Sequence, residues 1–207
     1  SKVQELEVLS NEHKPDLILL TETWCNNSIT NNVLSINNYD LIPELRCDRN
    51  DTRDGIGGGL LVYAKKELQI LSHDKQIDFN QYVHLSLQTC DNPINIFLVY
   101  KPPSSSISNY EKLNELIKSV PNNSIVIGDF NFPKIDWRNS TADNNKGQLF
   151  LDSCIESNLT QYVDFATHNR NNILDLVLAN DNCVLNVSDL GHLGNSDHTI
   201  LKIMTDH

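Results

Sequence analysis

A carboxylate and a carboxamide stand two residues apart directly after a short apolar run. Residues 125–127 read Ile-Val-Ile, and Asp129 and Asn131 follow them. Side chains at positions i and i+2 of an extended segment share a face, so both groups can converge on one pocket. A carboxylate beside an amide that both donates and accepts suits a water nucleophile and a phosphoryl oxygen. A strand that ends in an Asx turn is the alternative explanation of this pair.

Other apolar segments also begin or end at groups that could take part in such chemistry. Glu22 follows the continuous apolar run 17–20, which is typical of a buried strand. Asp197 and His198 immediately precede the strand-like residues 199–203. Together with the first pair, these groups indicate a site for a hard cation and a phosphodiester.

Asp175 stands inside an apolar strand, between Leu174 and Leu176. Burial of an unpaired charge is very costly. Asp175 therefore either faces solvent or has a dedicated partner, and His198 is the first candidate for that partner.

Five short motifs occur one after another along the chain. They are T-E-T-W at 21–24, Y-K-P-P at 100–103, G-D-F-N at 128–131, L-D-L at 174–176 and S-D-H at 196–198. With this set the chain resembles the endonuclease/exonuclease/phosphatase superfamily. Within that superfamily it is most similar to the apurinic-endonuclease-like domain of non-LTR retrotransposon polyproteins, for which the glycine-rich segment 57–65 is also typical. The resemblance covers nearly the whole chain and implies an α/β fold, the four-layer α/β/β/α sandwich of DNase I-like proteins.

The resemblance also implies a role for each site residue. Glu22 and Asp197 would bind Mg²⁺ or Mn²⁺, hard ions that prefer oxygen ligands. Asp129 would orient and deprotonate the attacking water, and Asn131 would hold that water or a phosphoryl oxygen. His198 would donate to the scissile phosphate, and Asp175 would set the tautomer of His198. Tyr100 would form a hydrogen bond with the phosphate. Thr167 and Ser196 would support these groups from behind.

The implied activity is that of a metal-dependent DNA endonuclease. Such a domain nicks double-stranded target DNA, and the exposed 3′ hydroxyl primes synthesis by a reverse transcriptase domain of the same polypeptide. The implied localisation is intracellular, with the nucleus as the site of action. Three alternatives stay open, namely an abasic-site repair endonuclease, a small-molecule phosphoesterase of the same fold, and a truncated copy without catalytic activity.

Net charge argues against a generic nucleic-acid binder. Lys and Arg number 16 against 27 Asp and Glu, which gives a formal net charge of −11. Charges are screened over ~8 Å at physiological ionic strength, so a local basic rim can outweigh distant acids. The candidates for DNA contact in that rim are Arg46, Arg49, Arg53, Lys65 and Lys101.

Length and composition agree with one domain spanning 1–207. The chain has 207 residues and 39% hydrophobic residues, enough for one sizeable core. No apolar stretch approaches the ~20 residues that span a bilayer, so no membrane association is expected. The five cysteines are scattered and odd in number, which favours reduced thiols over a disulfide framework or a zinc site.

Periodicity predicts mixed helices and strands. Helices are expected over 2–13, 110–120 and 147–157, and strands over 60–64, 83–87, 94–100 and 125–127. The chain begins at Ser1 and its only methionine is Met204, which indicates a piece of a longer polyprotein. In the resembled family an opening strand precedes the first helix, and that strand is expected to be missing here.

Overall fold

The computed structural model describes residues 2–49, 57–77, 81–90 and 92–206. The three α-helices are α1 (Lys2–His13), α2 (Ile107–Ser119) and α3 (Asn145–Glu156). The strands are β1 (Leu17–Leu20), β2 (Tyr39–Leu41), β3 (Leu61–Lys65), β4 (Ile70–Gln76), β5 (Gln81–Leu87), β6 (Ile94–Tyr100), β7 (Ser124–Asp129), β8 (Ile135–Asp136), β9 (Thr141–Ala142), β10 (Thr160–Gln161), β11 (Asp175–Ala179), β12 (Val184–His192) and β13 (Thr199–Thr205). The described residues thus contain all three helices that periodicity predicts, with ends shifted by a few residues.

Two main sheets organise the chain. Six strands form one sheet in the order β10-β11-β7-β6-β5-β4, and three strands form the other in the order β1-β3-β2. Within the larger sheet β6 and β7 are parallel and the other neighbouring strands are antiparallel. The hairpin β12-β13 packs beside these sheets through partly buried residues such as Val187 and Ile203.

Successive side chains of β6 point to opposite faces of the six-stranded sheet, and this explains how the layers stack. Ile96 and Leu98 contribute to an apolar core that also contains Val62 of β3, so this core lies between the two main sheets. Phe97 and Val99 point to the opposite face of the same strand, where α2 and α3 pack. A sheet with both faces buried needs such a continuous apolar strand.

The smaller sheet has a second covered face. Tyr63 of β3 and Ile18 of β1 pack with Val3 and Leu6 of α1. The order of layers is therefore α2 and α3, the six-stranded sheet, the three-stranded sheet, and α1. This is the four-layer α/β/β/α sandwich that the family resemblance implies, and the expectation is confirmed.

Gly128 lets β7 approach β6 closely near the end of the strand. Its φ angle is 145°, and an added Cβ would lie 1.9 Å from the carbonyl oxygen of Val99. No side chain fits that space. The glycine therefore fixes the path of the chain just before Asp129.

Candidate active site

Three polar side chains lie side by side at one end of the six-stranded sheet. Asp129, the last residue of β7, pairs in register with Tyr100 of β6 on one side and with Asp175 of β11 on the other. Directly paired residues of neighbouring strands point to the same face, so the three groups are neighbours in space. Strand register thus brings together residues that are up to 75 positions apart in the sequence.

The turn after β7 holds Asn131 beside Asp129. The backbone N–H of Asn131 donates to Oδ1 of Asp129 at 3.1 Å, and the φ angle of Asn131 is 50°, a conformation that Asn tolerates. Its side-chain Nδ2 donates to the carbonyl oxygen of Lys101 at 3.1 Å. The Asx turn that the sequence offered as an alternative is therefore present, and the same turn holds Asn131 beside Asp129.

His198 contacts the carboxylate of Asp175. The distance from its Nδ1 to Oδ2 of Asp175 is 2.8 Å, and both side chains are mostly buried. The hydrogen bond to Asp175 raises the pKa of His198 to about 9, although burial works in the opposite direction. With Nδ1 held by Asp175, Nε2 is the nitrogen that can serve a substrate.

Asp129 is almost completely buried, with 2% of its surface exposed. Burial raises the pKa of Asp129 well above its ordinary range, the negative charges of Asp175 and Glu22 raise it further, and His198 partly offsets them. A carboxylate with increased proton affinity is suited to general base catalysis near neutral pH.

Glu22 lies on the other side of Tyr100. Burial raises the pKa of Tyr100, and a hydrogen bond to the Glu22 carboxylate raises it further, so the hydroxyl stays neutral. Glu22 also accepts a hydrogen bond from Nε1 of Trp24 at 2.5 Å. Its φ angle is 53°, an uncommon value for a residue with a side chain, and such strain often occurs at functional sites.

His168 is a site residue to which the sequence analysis gave no role. Its Nε2 lies 3.2 Å from Oδ2 of Asp197, and its ring meets the ring of His198 edge-on at 4.9 Å between centroids. The backbone N–H of Arg170 donates to Nδ1 of His168 at 3.1 Å. Nδ1 is therefore the acceptor nitrogen, and Nε2 carries the hydrogen that is donated to Asp197.

Thr167 and Ser196 support the site through the backbone. The Thr167 hydroxyl oxygen accepts hydrogen bonds from the N–H groups of Leu174 and Asp175, each at 3.0 Å. The Ser196 hydroxyl oxygen accepts one from the N–H of His198 at 3.2 Å. These contacts order the segments that carry Asp175 and His198.

The predicted basic rim is not assembled as a unit. Arg46 is paired with Asp48 at 2.7 Å and also bonds to Asn31, so its charge is used within the fold. Lys65 is paired with Asp16 at the end of β3 that lies away from Glu22. Arg53 lies outside the described residues.

Arg49 and Lys101, the two other candidates for DNA contact, lie in different surroundings. The guanidinium of Arg49 lies 5.4 Å from the centre of the Trp24 ring, close to Glu22. Lys101 is fully buried, in contrast to its expected place on the surface, and its Nζ lies over the rings of Tyr110 and Phe132. The reason is that Lys101 follows β6 directly and turns toward the helix layer, where aromatic faces accommodate the ammonium group.

Two groups of three described side chains could hold a metal ion. Asp129, Asp175 and His198 form one, and His168, Asp197 and His198 form the other, with ligand atoms within 4.8 Å of one another in each. Neither group contains Glu22. Asp175 and Glu22 both place negative charge near Asp129, and a divalent cation would relieve that repulsion. The carboxylates are oxygen donors of the kind that a hard ion prefers, whereas the imidazole nitrogens of His168 and His198 suit transition metals better.

A four-layer sandwich with carboxylate and imidazole groups at the strand ends defines the endonuclease/exonuclease/phosphatase class. A family model described as endonuclease-reverse transcriptase matches residues 94–202, more than half of the chain. The chain therefore belongs to this endonuclease–reverse transcriptase family, which confirms the resemblance inferred from the sequence motifs. Comparison with curated protein sequences gives no match.

Solved structures share the fold at low sequence identity. The endonuclease domain of TRAS1, a telomere-specific non-LTR retrotransposon, is 18% identical with a TM-score of 0.67, covering 95% of this chain and 88% of that one. An AP endonuclease from Archaeoglobus fulgidus is 15% identical with a TM-score of 0.66, covering 99% and 94%. D. rerio TDP2 complexed with single-strand DNA product is 13% identical with a TM-score of 0.60, covering 98% and 90%.

Among the described residues, no helix combines the length and the apolar character of a membrane span.

Proposed function

We propose that this protein is a metal-dependent endonuclease that hydrolyses a phosphodiester bond of double-stranded DNA. The observation that carries the proposal is the arrangement of His198 on Asp175 directly beside the buried Asp129. One group with raised proton affinity and one oriented imidazole are the two proton-handling groups that hydrolysis of a phosphodiester needs. The family membership supports a nuclease reaction.

In the proposed mechanism, Asp129 accepts a proton from the attacking water as the water oxygen bonds to phosphorus. The bond from phosphorus to the leaving oxygen of the DNA strand breaks, and a solvent water protonates that oxygen. Asn131 holds that water or a phosphoryl oxygen, with its orientation fixed by the turn after β7. His198 donates from Nε2 to the scissile phosphate while Asp175 holds Nδ1. Tyr100, kept neutral by burial, donates its hydroxyl to a phosphate oxygen.

Glu22 and Asp197 would hold Mg²⁺ or Mn²⁺ through carboxylate oxygens. When bound, such an ion supplies electrostatic stabilisation of the charge that develops on the phosphate. Glu22 is hydrogen-bonded to Tyr100 and acts electrostatically on Asp129, and Asp197 acts on the neighbouring His198. His168 would keep Asp197 in position through its Nε2–H.

We further propose that the nick serves insertion of a retroelement. The description of the family and the presence of a retrotransposon endonuclease domain among the structures of similar fold support this role. In that setting residues 1–207 form one domain of a longer polypeptide, a reverse transcriptase domain of the same polypeptide is the partner, and the nucleus is the place of action.

The test is a nicking assay with supercoiled plasmid. The purified chain should produce relaxed circles with Mg²⁺ or Mn²⁺ and none with EDTA, and Asp129→Asn should be inactive under both conditions. A parallel panel of abasic duplex and inositol phosphates separates the alternatives. Turnover of abasic duplex alone would indicate a repair endonuclease, turnover of inositol phosphates alone a phosphoesterase, and no turnover of any substrate would contradict the enzymatic assignment.

A further inference from the structure

A cavity of about 280 Å³ opens beside the candidate active site, on the side of α2 and α3. Asn131 belongs to its wall, so the cavity and the site share that residue. Tyr110 and Phe132 contribute aromatic surface, and Lys134 and Lys146 contribute positive charge. The cavity thus adjoins the candidate active site at Asn131 and offers both aromatic surface and cations.

Two ammonium groups lie against the aromatic wall of this cavity. Nζ of Lys146 is 4.4 Å from the centre of the Tyr110 ring, and Nζ of Lys101 is 4.9 Å from the same centre. Lys101 also lies 4.7 Å from the centre of the Phe132 ring and is completely buried. A buried ammonium group and a solvent-exposed one therefore share one tyrosine ring.

The charge of the cavity is opposite to that of the whole chain. Among the described residues that line it there are lysines and no carboxylate, whereas the chain carries a formal net charge of −11. Burial lowers the pKa of Lys101 to about 8, Asp129 works against that shift, and the nearby Lys146 adds to it. Because Lys101 and Lys146 repel each other, an anion near both would be stabilised.

The N-terminus of α3 is capped by a side chain next to this cavity. The side-chain oxygen of Asn144 accepts the N–H of Gly147 at 2.8 Å. The positive charge of the cavity wall comes from the side-chain ammonium groups of Lys134 and Lys146.

We propose that this cavity binds one nucleotide of the substrate DNA that flanks the scissile phosphodiester. Lys146 contacts its phosphate, and the aromatic surface of Tyr110 and Phe132 contacts its sugar or base. The assignment rests on the proposed endonuclease function and specifies which part of the DNA reaches the helix layer. Lysine–phosphate contacts and base–aromatic stacking are the interactions by which proteins bind a nucleic-acid strand without reading its sequence.

The experiment measures binding separately from cleavage. A fluorescein-labelled DNA duplex is titrated in EDTA over a range of salt concentrations, with fluorescence anisotropy as the readout. Lys146→Ala should weaken binding by ~5–10-fold and reduce the slope of log K against log salt by about 0.9, the value for one lost phosphate contact on duplex DNA. The matched control is Lys118→Ala, which removes an exposed lysine of α2 that pairs with Glu156 and should change neither quantity.

A second pair of variants tests the aromatic face. Tyr110→Phe keeps the ring and should bind DNA as the unaltered protein does, whereas Tyr110→Leu should weaken binding. In plasmid nicking both Lys146→Ala and Tyr110→Leu should raise KM and leave kcat unchanged, because the cavity holds a part of the DNA that does not react. A purely structural role of Lys146 would instead lower the unfolding midpoint and leave the salt slope as it is.

The outcomes separate this inference from the proposed function. If the protein nicks plasmid and Lys146→Ala binds DNA with an unchanged affinity and salt slope, the nucleotide cavity is overturned and the endonuclease assignment stands. If the protein binds DNA through Lys146 but nicks nothing, the cavity is supported and the catalytic assignment fails. Absence of both binding and nicking would overturn both.

Discussion

The imidazole Nδ1 of His198 lies 2.8 Å from Oδ2 of Asp175, although the two residues are 23 positions apart. The contact leaves Nε2 of the ring as the only nitrogen that can act on a substrate. It also couples the two side chains, since each is mostly buried and removal of either one leaves the other without this partner.

A double-mutant cycle on this pair should be strongly non-additive. We expect His198→Ala to lower the nicking rate by ~10²–10³-fold, because one preorganised donor to the phosphate is lost. Asp175→Asn should lower the rate through the orientation of His198, and the double variant should be little slower than His198→Ala alone. Initial rates of plasmid nicking measure this, and unchanged turnover in His198→Ala would contradict the assignment.

Asp129→Asn should abolish nicking and leave the fold intact. The substitution keeps the shape of a side chain that is 2% exposed, but an amide cannot take a proton from water, so the rate should fall by ~10²–10⁴-fold. Asp74→Asn on the exposed edge strand β4 is the matched control and should nick normally. Single-turnover rates and thermal unfolding curves are compared for both, and a fully active Asp129→Asn would rule out this general base.

His168→Ala should raise the Mg²⁺ concentration that gives half-maximal nicking, by ~10-fold or more. The reason is that His168 donates to the carboxylate of Asp197, and loss of such a partner of a metal ligand typically costs 10–100-fold. His168→Gln keeps a donor near Nε2 and should restore much of the affinity. His73→Ala, at an exposed position of β4, serves as control. If all variants need the same Mg²⁺ concentration for half-maximal nicking, His168 does not position Asp197.

Lys101→Met should stabilise the protein at neutral pH, by roughly 1–3 kcal/mol in the free energy of unfolding. Burial lowers the pKa of Lys101 from 10.5 to about 8, so between these values the unfolded chain binds more protons than the folded one. The cost of the buried charge is fully present below pH 8 and disappears as pH rises toward 10.5. The gain in stability from Lys101→Met should therefore also be largest below pH 8 and disappear as pH rises toward 10.5.

Urea unfolding at pH 7 and at pH 10 measures this difference directly. Lys118→Met changes an exposed lysine and should show no comparable dependence on pH. A stability gain from Lys101→Met that is equal at both pH values would mean that apolar packing, and not the buried charge, is responsible.

Gly128→Ala should destabilise the fold by more than about 4 kcal/mol, a loss associated with severe overpacking. The added Cβ would lie 1.9 Å from the carbonyl oxygen of Val99, and both atoms belong to the central strands β6 and β7. Gly191→Ala is the matched control, because its φ angle of 83° is also unfavourable for alanine but no heavy atom lies within 4 Å. It should cost only about 1–3 kcal/mol. The soluble yield and the urea midpoint are measured for both variants. Similar losses of stability would show that the unfavourable backbone φ angle, and not the clash with Val99, destabilises Gly128→Ala.

Strands with both faces buried could be predicted from the sequence alone. Residues 96–100 of β6 and 125–127 of β7 are continuously apolar, and short runs of this kind, rich in β-branched residues, are typical of buried strands. The edge strand β4 and the long strand β12 were not predicted, because the side chains of β4 are nearly all exposed and those of β12 show no regular alternation of buried and exposed positions. Their strand structure comes from pairing with β5 and β13.

The sequence by itself indicated mixed helices and strands through the spacing of its apolar residues, and the resemblance carried by its ordered motifs implied the four-layer sandwich and the residue types at the strand ends. Both signals are local properties of the chain. Only the tertiary structure decided that Tyr100, Asp129 and Asp175 share one row, because strand register is set by pairing across the sheet. The same holds for His168 beside Asp197 and for the burial of Lys101. These contacts join segments distant in the chain, and no local pattern encodes the distance between such segments once they have packed.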